Sequence, residues 1–300
     1  MDYQKIAVTQ SEGRLKITVR DGSNRPWYRD LDIDGKPLYR IGSICETCEA
    51  LFRKTDRAKM PIAPDEISKR LRQGLQSIDE EIITAIKNVI PKGNYIISLI
   101  EIQPRMIKNT NRDFIWENLK PSIVPKELWP KTPNINEIWP PWSLGRLGQK
   151  LQDDELYESV LPLINFTDIS QKIVRVYEKA IANGKRPTCL ALSVVDTRYV
   201  SARAFDWRLV HFLLDGHHKM MAASNNNQSI SILSFFALNE SFAREEWIRH
   251  TLKFRYNISE KKECENCGVE IKNMDDLFCR KCGTKLQNPF EINWPNPNCT

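Results

Sequence analysis

The stretch Leu209-Val210-His211-Phe212-Leu213-Leu214-Asp215-Gly216-His217-His218-Lys219-Met220-Met221-Ala222-Ala223 joins an apolar, strand-like run to a run of good helix formers. Asp-Gly marks a tight turn between them. A helix that starts there carries unpaired N–H groups and a partial positive charge, which attract anions. Gly216 allows close approach of a ligand to the backbone, and His217, His218 and Lys219 add donors and charge. A phosphate suits this arrangement. The alternative is that the imidazoles cap a helix beside an ordinary turn.

The flanking sequence supplies a core. Asp168 to Ala182 reads as a helix, Gly184-Lys185-Arg186-Pro187 as a turn, and Thr188 to Val195 as a strand. Ile230 to Leu238 reads as another strand. In this order, Asp-Gly-His-His-Lys resembles the signature loop of the ParB/sulfiredoxin superfamily. Its nearest form is the Asp-Gly-His-His-Arg loop of that superfamily's free-serine kinase branch. The resemblance covers residues 155–240. It implies an α+β core that binds ATP or ADP, with Mg2+, through Gly216, His217, His218 and Lys219. Asp215, fixed beside the loop by the turn, and His218 are the candidate catalytic residues of a phosphotransferase or phosphohydrolase. Sulfiredoxin carries its reactive cysteine where this chain has His217, so sulfinic-acid repair is not implied. The closing arginine of the motif is Lys219, and no ParB-like helix-turn-helix follows.

Phosphoryl transfer also calls for carboxylates to hold magnesium and for cations to meet phosphates. Asp196, Asp206 and Glu240 join Asp215 as nearby carboxylates, and Arg198, Arg203 and Arg208 as nearby cations. For each of these, taken alone, a surface ion pair is the better reading; Asp215, fixed beside the loop by the turn, is the exception, and it can serve either catalysis or the loop's own hydrogen bonding.

Upstream, Lys5 to Thr9 and Leu15 to Arg20 alternate and are expected to pair near Glu12-Gly13. Asp21 to Pro37 is turn-rich. Pro64-Asp65-Glu66 opens an expected long helix to Val89, with Ile67, Leu71, Leu75, Ile78, Ile82 and Ile86 at three and four spacing. Tyr95 to Ile102 reads as a buried strand. Residues 121–142 hold six prolines and Trp129, Trp139 and Trp142, which rule out a helix. They read as an extended arm packed by its tryptophans, or as a proline-rich ligand for a protein partner. Ser241 to Tyr256 reads as a helix. The expected organisation is an N-terminal α+β region (1–120), the arm (121–154), the core (155–258), a zinc ribbon (259–288) and a tail (289–300).

The ribbon rests on Cys264-x-x-Cys267-Gly268 and Cys279-x-x-Cys282-Gly283, two knuckles eleven residues apart. Two such thiolate pairs suit one tetrahedral Zn2+, and a closed four-sulfur shell makes it structural. The ribbon is charge-balanced, with six cations and six anions over 260–288, which favours a protein contact over a phosphate backbone. Cys45-x-x-Cys48 admits a second metal site, a redox dithiol or ordinary buried thiols.

Composition bounds the rest. The chain of 300 residues is 41% hydrophobic and 27% charged, which is globular rather than disordered. No apolar run is long enough to span a bilayer, and the first residues lack a signal-peptide core. The expected setting is the cytoplasm, where eight cysteines point to metal or free thiols rather than disulfides. A net charge of +6 permits nucleic-acid binding without requiring it. The densest linear basic cluster, Arg53 to Lys59, also reads as a solvated loop. Two function classes follow: a nucleotide-binding enzyme, and a zinc-ribbon regulatory or interaction protein that binds nucleic acid or protein without catalysis.

Overall fold

In a computed structural model the chain is an α+β protein built on one large mixed sheet. The structure describes residues 2–9, 13–19, 29–41, 52–54, 63–107, 138–139, 142–149, 155–201, 204–258, 262–263, 266–271 and 278–284. Cys45, Cys48, Cys264, Cys299 and most of the proline-tryptophan segment lie outside them.

The strands are β1 (Tyr3–Val8), β2 (Leu15–Val19), β3 (Arg29–Ile33), β4 (Lys36–Ile41), β5 (Phe52–Lys54), β6 (Gly93–Ile102), β7 (Arg105–Met106) and β8 (Ile138–Trp139). They continue with β9 (Trp142–Arg146), β10 (Leu156–Pro162), β11 (Thr188–Ser201), β12 (Ala204–Asp215), β13 (Ile230–Ala237), β14 (Lys262–Glu263) and β15 (Glu270–Ile271). The helices are α1 (Asp65–Gln73), α2 (Glu80–Lys87), α3 (Gln171–Ala182), α4 (His217–Asn225) and α5 (Glu245–Phe254).

The large sheet runs β1-β6-β13-β11-β12-β10-β9-β7, and a smaller one runs β2-β3-β4-β5-β8. The pairs β10/β12 and β11/β13 are parallel, while β11 and β12 form a long antiparallel pair. The N-terminal strands β1 and β6 therefore share a sheet with the signature strand, through β6 on β13.

Both faces of this sheet are covered, which is why its strands read as nearly unbroken apolar runs. Alternation along each strand sorts the side chains. Leu190, Leu192, Val210, Phe212, Leu233 and Phe235 pack towards α1, α2 and the small sheet. Ala191, Val195, Leu209, Leu213, Ile232 and Phe236 pack towards α3, α4 and α5. Each fully buried Leu, Ile or Phe here contributes about 1.5–3 kcal/mol. Trp207 stacks on Trp247 of α5 at 5.4 Å between ring centroids.

Several expectations are corrected. β1 and β2 do not pair with each other: β1 lines the edge of the large sheet and β2 joins β3. Asp21 to Pro37 contains a strand, since Arg29–Ile33 forms β3 and turns at Asp34-Gly35 into β4. The single long helix is two. Gly74 ends α1 with φ +88°, where any Cβ would collide with the Arg186 carbonyl. Asp79 then opens α2 by accepting from the Glu81 and Ile82 amides at 3.0 and 3.2 Å. The last helix of the core is shorter than read, starting at Glu245. No helix of the described residues is long and apolar enough to cross a membrane.

Trp142 is fully buried, its ring tilted against that of Phe166 with centroids 5.2 Å apart. The end of the proline-tryptophan segment links both sheets, giving β8 to the small one and β9 to the large one.

Candidate functional site

The signature loop sits where the parallel strands β10 and β12 end together, with Pro162 beside Leu213. Carboxyl ends of parallel strands are where α/β sheets hold ligands. Gly216 takes φ +103° and caps α4. Its α-carbon lies against Cys189 of β11, so that a Cβ would stand 2.6 Å from the thiol sulfur. The Cys189 thiol points to the Gly216 carbonyl at 3.6 Å, and burial raises its pKa to about 12. It is a packing group, not a nucleophile.

The four residues after the strand have distinct surroundings. Lys219 is buried; its Nζ donates to the Thr188 carbonyl at 2.9 Å and to Asp215 Oδ1 at 2.7 Å. Asp215 Oδ2 accepts from Ser68 Oγ of α1 at 2.8 Å. Thr188 Oγ1 in turn accepts from the Leu75 amide at 2.9 Å. The Asp215–Lys219 pair thus ties the loop to β11 and to the N-terminal helix. His217 is buried and its Nε2 accepts from the Leu163 amide at 3.1 Å. His218 is half-buried and its Nε2 accepts from the Ser170 amide at 3.0 Å. An accepting Nε2 in a neutral ring puts the proton on Nδ1. Burial lowers the His218 pKa, against the opposing charge of Asp215, and so favours that neutral form.

Ser170 is the N-cap residue of α3. The Ser170–His218 bond therefore joins the start of α3 to the start of α4. Two positive helix ends meet on one rim, at the carboxyl ends of β10 and β12. Tyr177 of α3 stands close to Asp215, Cys189 and Arg72, and burial is the main cause of its raised pKa.

The other candidate carboxylates lie elsewhere. Asp196 is six residues along β11 from Leu190, which pairs with Asp215. That spacing is about 20 Å of strand. Asp196 is buried in an ion pair with Arg29 of β3, and Arg29 also donates to the Glu240 carbonyl at 2.8 Å. Arg208 sits at that same far end, opposite Asp196 in register, its guanidinium 5.8 Å from the Tyr157 ring centre. The side chains of Arg198, Arg203 and Asp206 lie outside the described residues.

A second polar constellation was not anticipated. Glu158, His211, Ser193 and Ser234 come from four adjacent strands and cross the centre of the sheet beneath α5. Ser193 Oγ lies 2.6 Å from His211 Nδ1, and His211 Nε2 lies 2.8 Å from Glu158 Oε1. Ser193 also meets Ser234 at 2.8 Å, and Ser234 meets Tyr256 Oη at 2.8 Å. Arg255 closes the row on Glu158 Oε2. Burial alone would raise the Glu158 pKa, but the bonds and charges of His211 and Arg255 hold it below the usual value. The row has the atoms of an acyl-transfer triad, yet Ser193, His211 and Glu158 are each 0–1% exposed. No substrate reaches them, so the row is a buried polar seam that fixes strand register. Its trace in the sequence was a polar residue at a core position in each of four apolar runs.

Towards the C-terminus, Cys267, Cys279 and Cys282 place their sulfurs within 4.8 Å of one another, a group that could hold a metal ion. Cys267 and Cys279 are 3.6 Å apart. Tetrahedral zinc with bonds of about 2.3 Å sets its sulfurs about 3.8 Å apart. The knuckle closes through the Gly283 amide on the Cys279 carbonyl at 2.8 Å, and Gly268 and Gly283 take φ +65° and +73°. The strands β14 and β15 pair antiparallel around the first knuckle.

Comparison of the chain with protein-family profiles, curated proteins and solved structures finds no match.

Proposed function

We propose that this chain is a nucleotide- or phosphate-binding protein with a ParB/sulfiredoxin-like core, its ligand held where α3 and α4 begin. The observation that carries the reading is the Ser170–His218 junction, which brings two helix starts together at the ends of β10 and β12. Such ends bind phosphate oxygens through backbone N–H groups and the local dipole. His218, neutral with Nδ1 protonated, adds a donor. Lys219 and Asp215 have a different part from the one the motif implies. Their bonds are internal, so they set the loop's shape and its link to α1 instead of gripping the anion. His218 remains the titratable group nearest a bound phosphate.

The ribbon is read as a structural zinc site. Cys267, Cys279 and Cys282 would hold the ion, with Cys264 as fourth ligand by its spacing. Phe278, 55% exposed beside Cys279, favours a second role for this unit in contact with a protein partner.

Calorimetric titration with ATP, ADP and inorganic phosphate, each with and without Mg2+, tests the function. The expected result is saturable binding of one ligand, weakened about tenfold or more in His218→Ala by loss of one hydrogen bond to a charged group. No heat with any of the three ligands would remove the reading and leave the interaction module.

A further inference from the structure

The outward face of α3 carries an unpaired basic surface. Seven of its twelve residues are exposed, and only Val174 and Ile181 are buried. Lys172, Arg175 and Lys179 recur at three and four spacing, so they share one side of the helix. Lys185 and Arg186 follow in the exposed turn just past the C-terminus. All five are exposed, and none is ion-paired with a described carboxylate. The single acid of α3, Glu178, is turned inward and accepts from Asn225 of α4 at 2.7 Å. Between the cations stand Ile173, 43% exposed, and Val176, 63% exposed.

We infer that this face docks on duplex DNA, with the cations on phosphates and the two aliphatic side chains towards the base edges. The inference stands independently of the nucleotide reading. Charge complementarity is its basis: five unneutralised cations on and just past one exposed helix face match a polyanion. Shape favours a duplex. An exposed helix face on a cylinder about 10–12 Å across with its side chains fits a major groove about 12 Å wide. Exposed aliphatic groups in such a helix meet thymine methyls. An anionic membrane surface is disfavoured, because an interfacial helix needs a continuous apolar face and α3 offers two aliphatic residues. An extended acidic peptide would seek a groove or a sheet edge, and this face is neither.

The test is fluorescence anisotropy of the full chain with a labelled duplex of about twenty base pairs, repeated over a range of salt. Five phosphate contacts predict that log K falls with log salt at a slope of about −4.5. The triple variant Lys172→Glu, Arg175→Glu, Lys179→Glu should bind at least about tenfold more weakly and lower the slope's magnitude by about 3. Lys36→Glu with Lys92→Glu, exposed on other elements, should bind as wild type does. The substituted side chains are all at the surface, and a thermal melt confirms the fold. Absence of DNA binding by wild type at about 50 mM salt would overturn the inference. So would equal binding by the triple variant, or binding to anionic phospholipid vesicles while the duplex is ignored.

Discussion

Replacing Gly216 by Ala should destabilise the fold by about 2–5 kcal/mol, from two additive causes. The backbone at φ +103° and ψ +20° is left-handed, and a side chain there costs about 1–2 kcal/mol. The new methyl would also stand 2.6 Å from Cys189 Sγ, 3.0 Å from its Cβ and 3.1 Å from its Cα. Cys189 lies in the middle of a sheet covered on both faces, so it cannot simply move aside. Overpacking of this kind costs about 1–3 kcal/mol. Urea unfolding followed by tryptophan fluorescence reads the sum as a lower midpoint at unchanged slope. A second variant separates the causes. Cys189→Ala removes the closest atom but leaves the Cβ and Cα, so the double variant should be more stable than additivity predicts by about 1 kcal/mol. A Gly216→Ala cost within about 0.5 kcal/mol of zero would refute the packing account. The same geometry means that Gly216 variants report on folding before they report on ligand binding.

Lys219→Met should cost about 3 kcal/mol, the lower end of the range for breaking a buried ion pair, because Asp215 keeps some solvent; equilibrium unfolding measures it. Ser68→Ala, which removes the neutral partner of the same carboxylate, should cost about 1 kcal/mol in the same assay. Cys267→Ser should release the metal and open residues 262–284 to protease while the large sheet unfolds as before, read by elemental analysis and limited proteolysis. Burial holds His218 and His250 below their ordinary value of 6.5, so below that pH the unfolded chain binds more protons and stability falls. His218→Gln with His250→Gln should flatten this loss between about pH 7 and pH 5, whereas Glu158, with its depressed pKa, contributes a loss only below about pH 4.5.

The strongest sequence signals were the long apolar runs and the punctuation between them. Tyr95 to Ile102, Thr188 to Val195 and Leu209 to Leu214 lie in strands of the large sheet, as does the run from Ile230 up to Ala237, one residue short of its read end. Asp215-Gly216 marks the turn into α4, because only a residue tolerant of positive φ fits there. What periodicity could not convey was partnership. β1 and β2 look like a hairpin because both alternate, yet Gln4 of β1 pairs with Ile97 of β6 and Leu15 of β2 pairs with Ile33 of β3. The break at Gly74 was masked by apolar residues that keep helical spacing on both sides of it. Lys219 looked like a ligand group because charge is visible in sequence and burial is not. The basic face of α3 was hidden for a related reason. Its cations are dilute along the chain, and only the helix gathers Lys172, Arg175 and Lys179 onto one side.

The most direct test of the proposed site is an amide nuclear magnetic resonance titration of the isotope-labelled chain with ADP and Mg2+. The account predicts saturable shifts that are largest at the amides of Ser170 to Ile173 and Gly216 to Lys219, where the two helices begin. Saturable shifts centred on the ribbon or on the Arg29–Asp196 end of the sheet, or none at all, would contradict it.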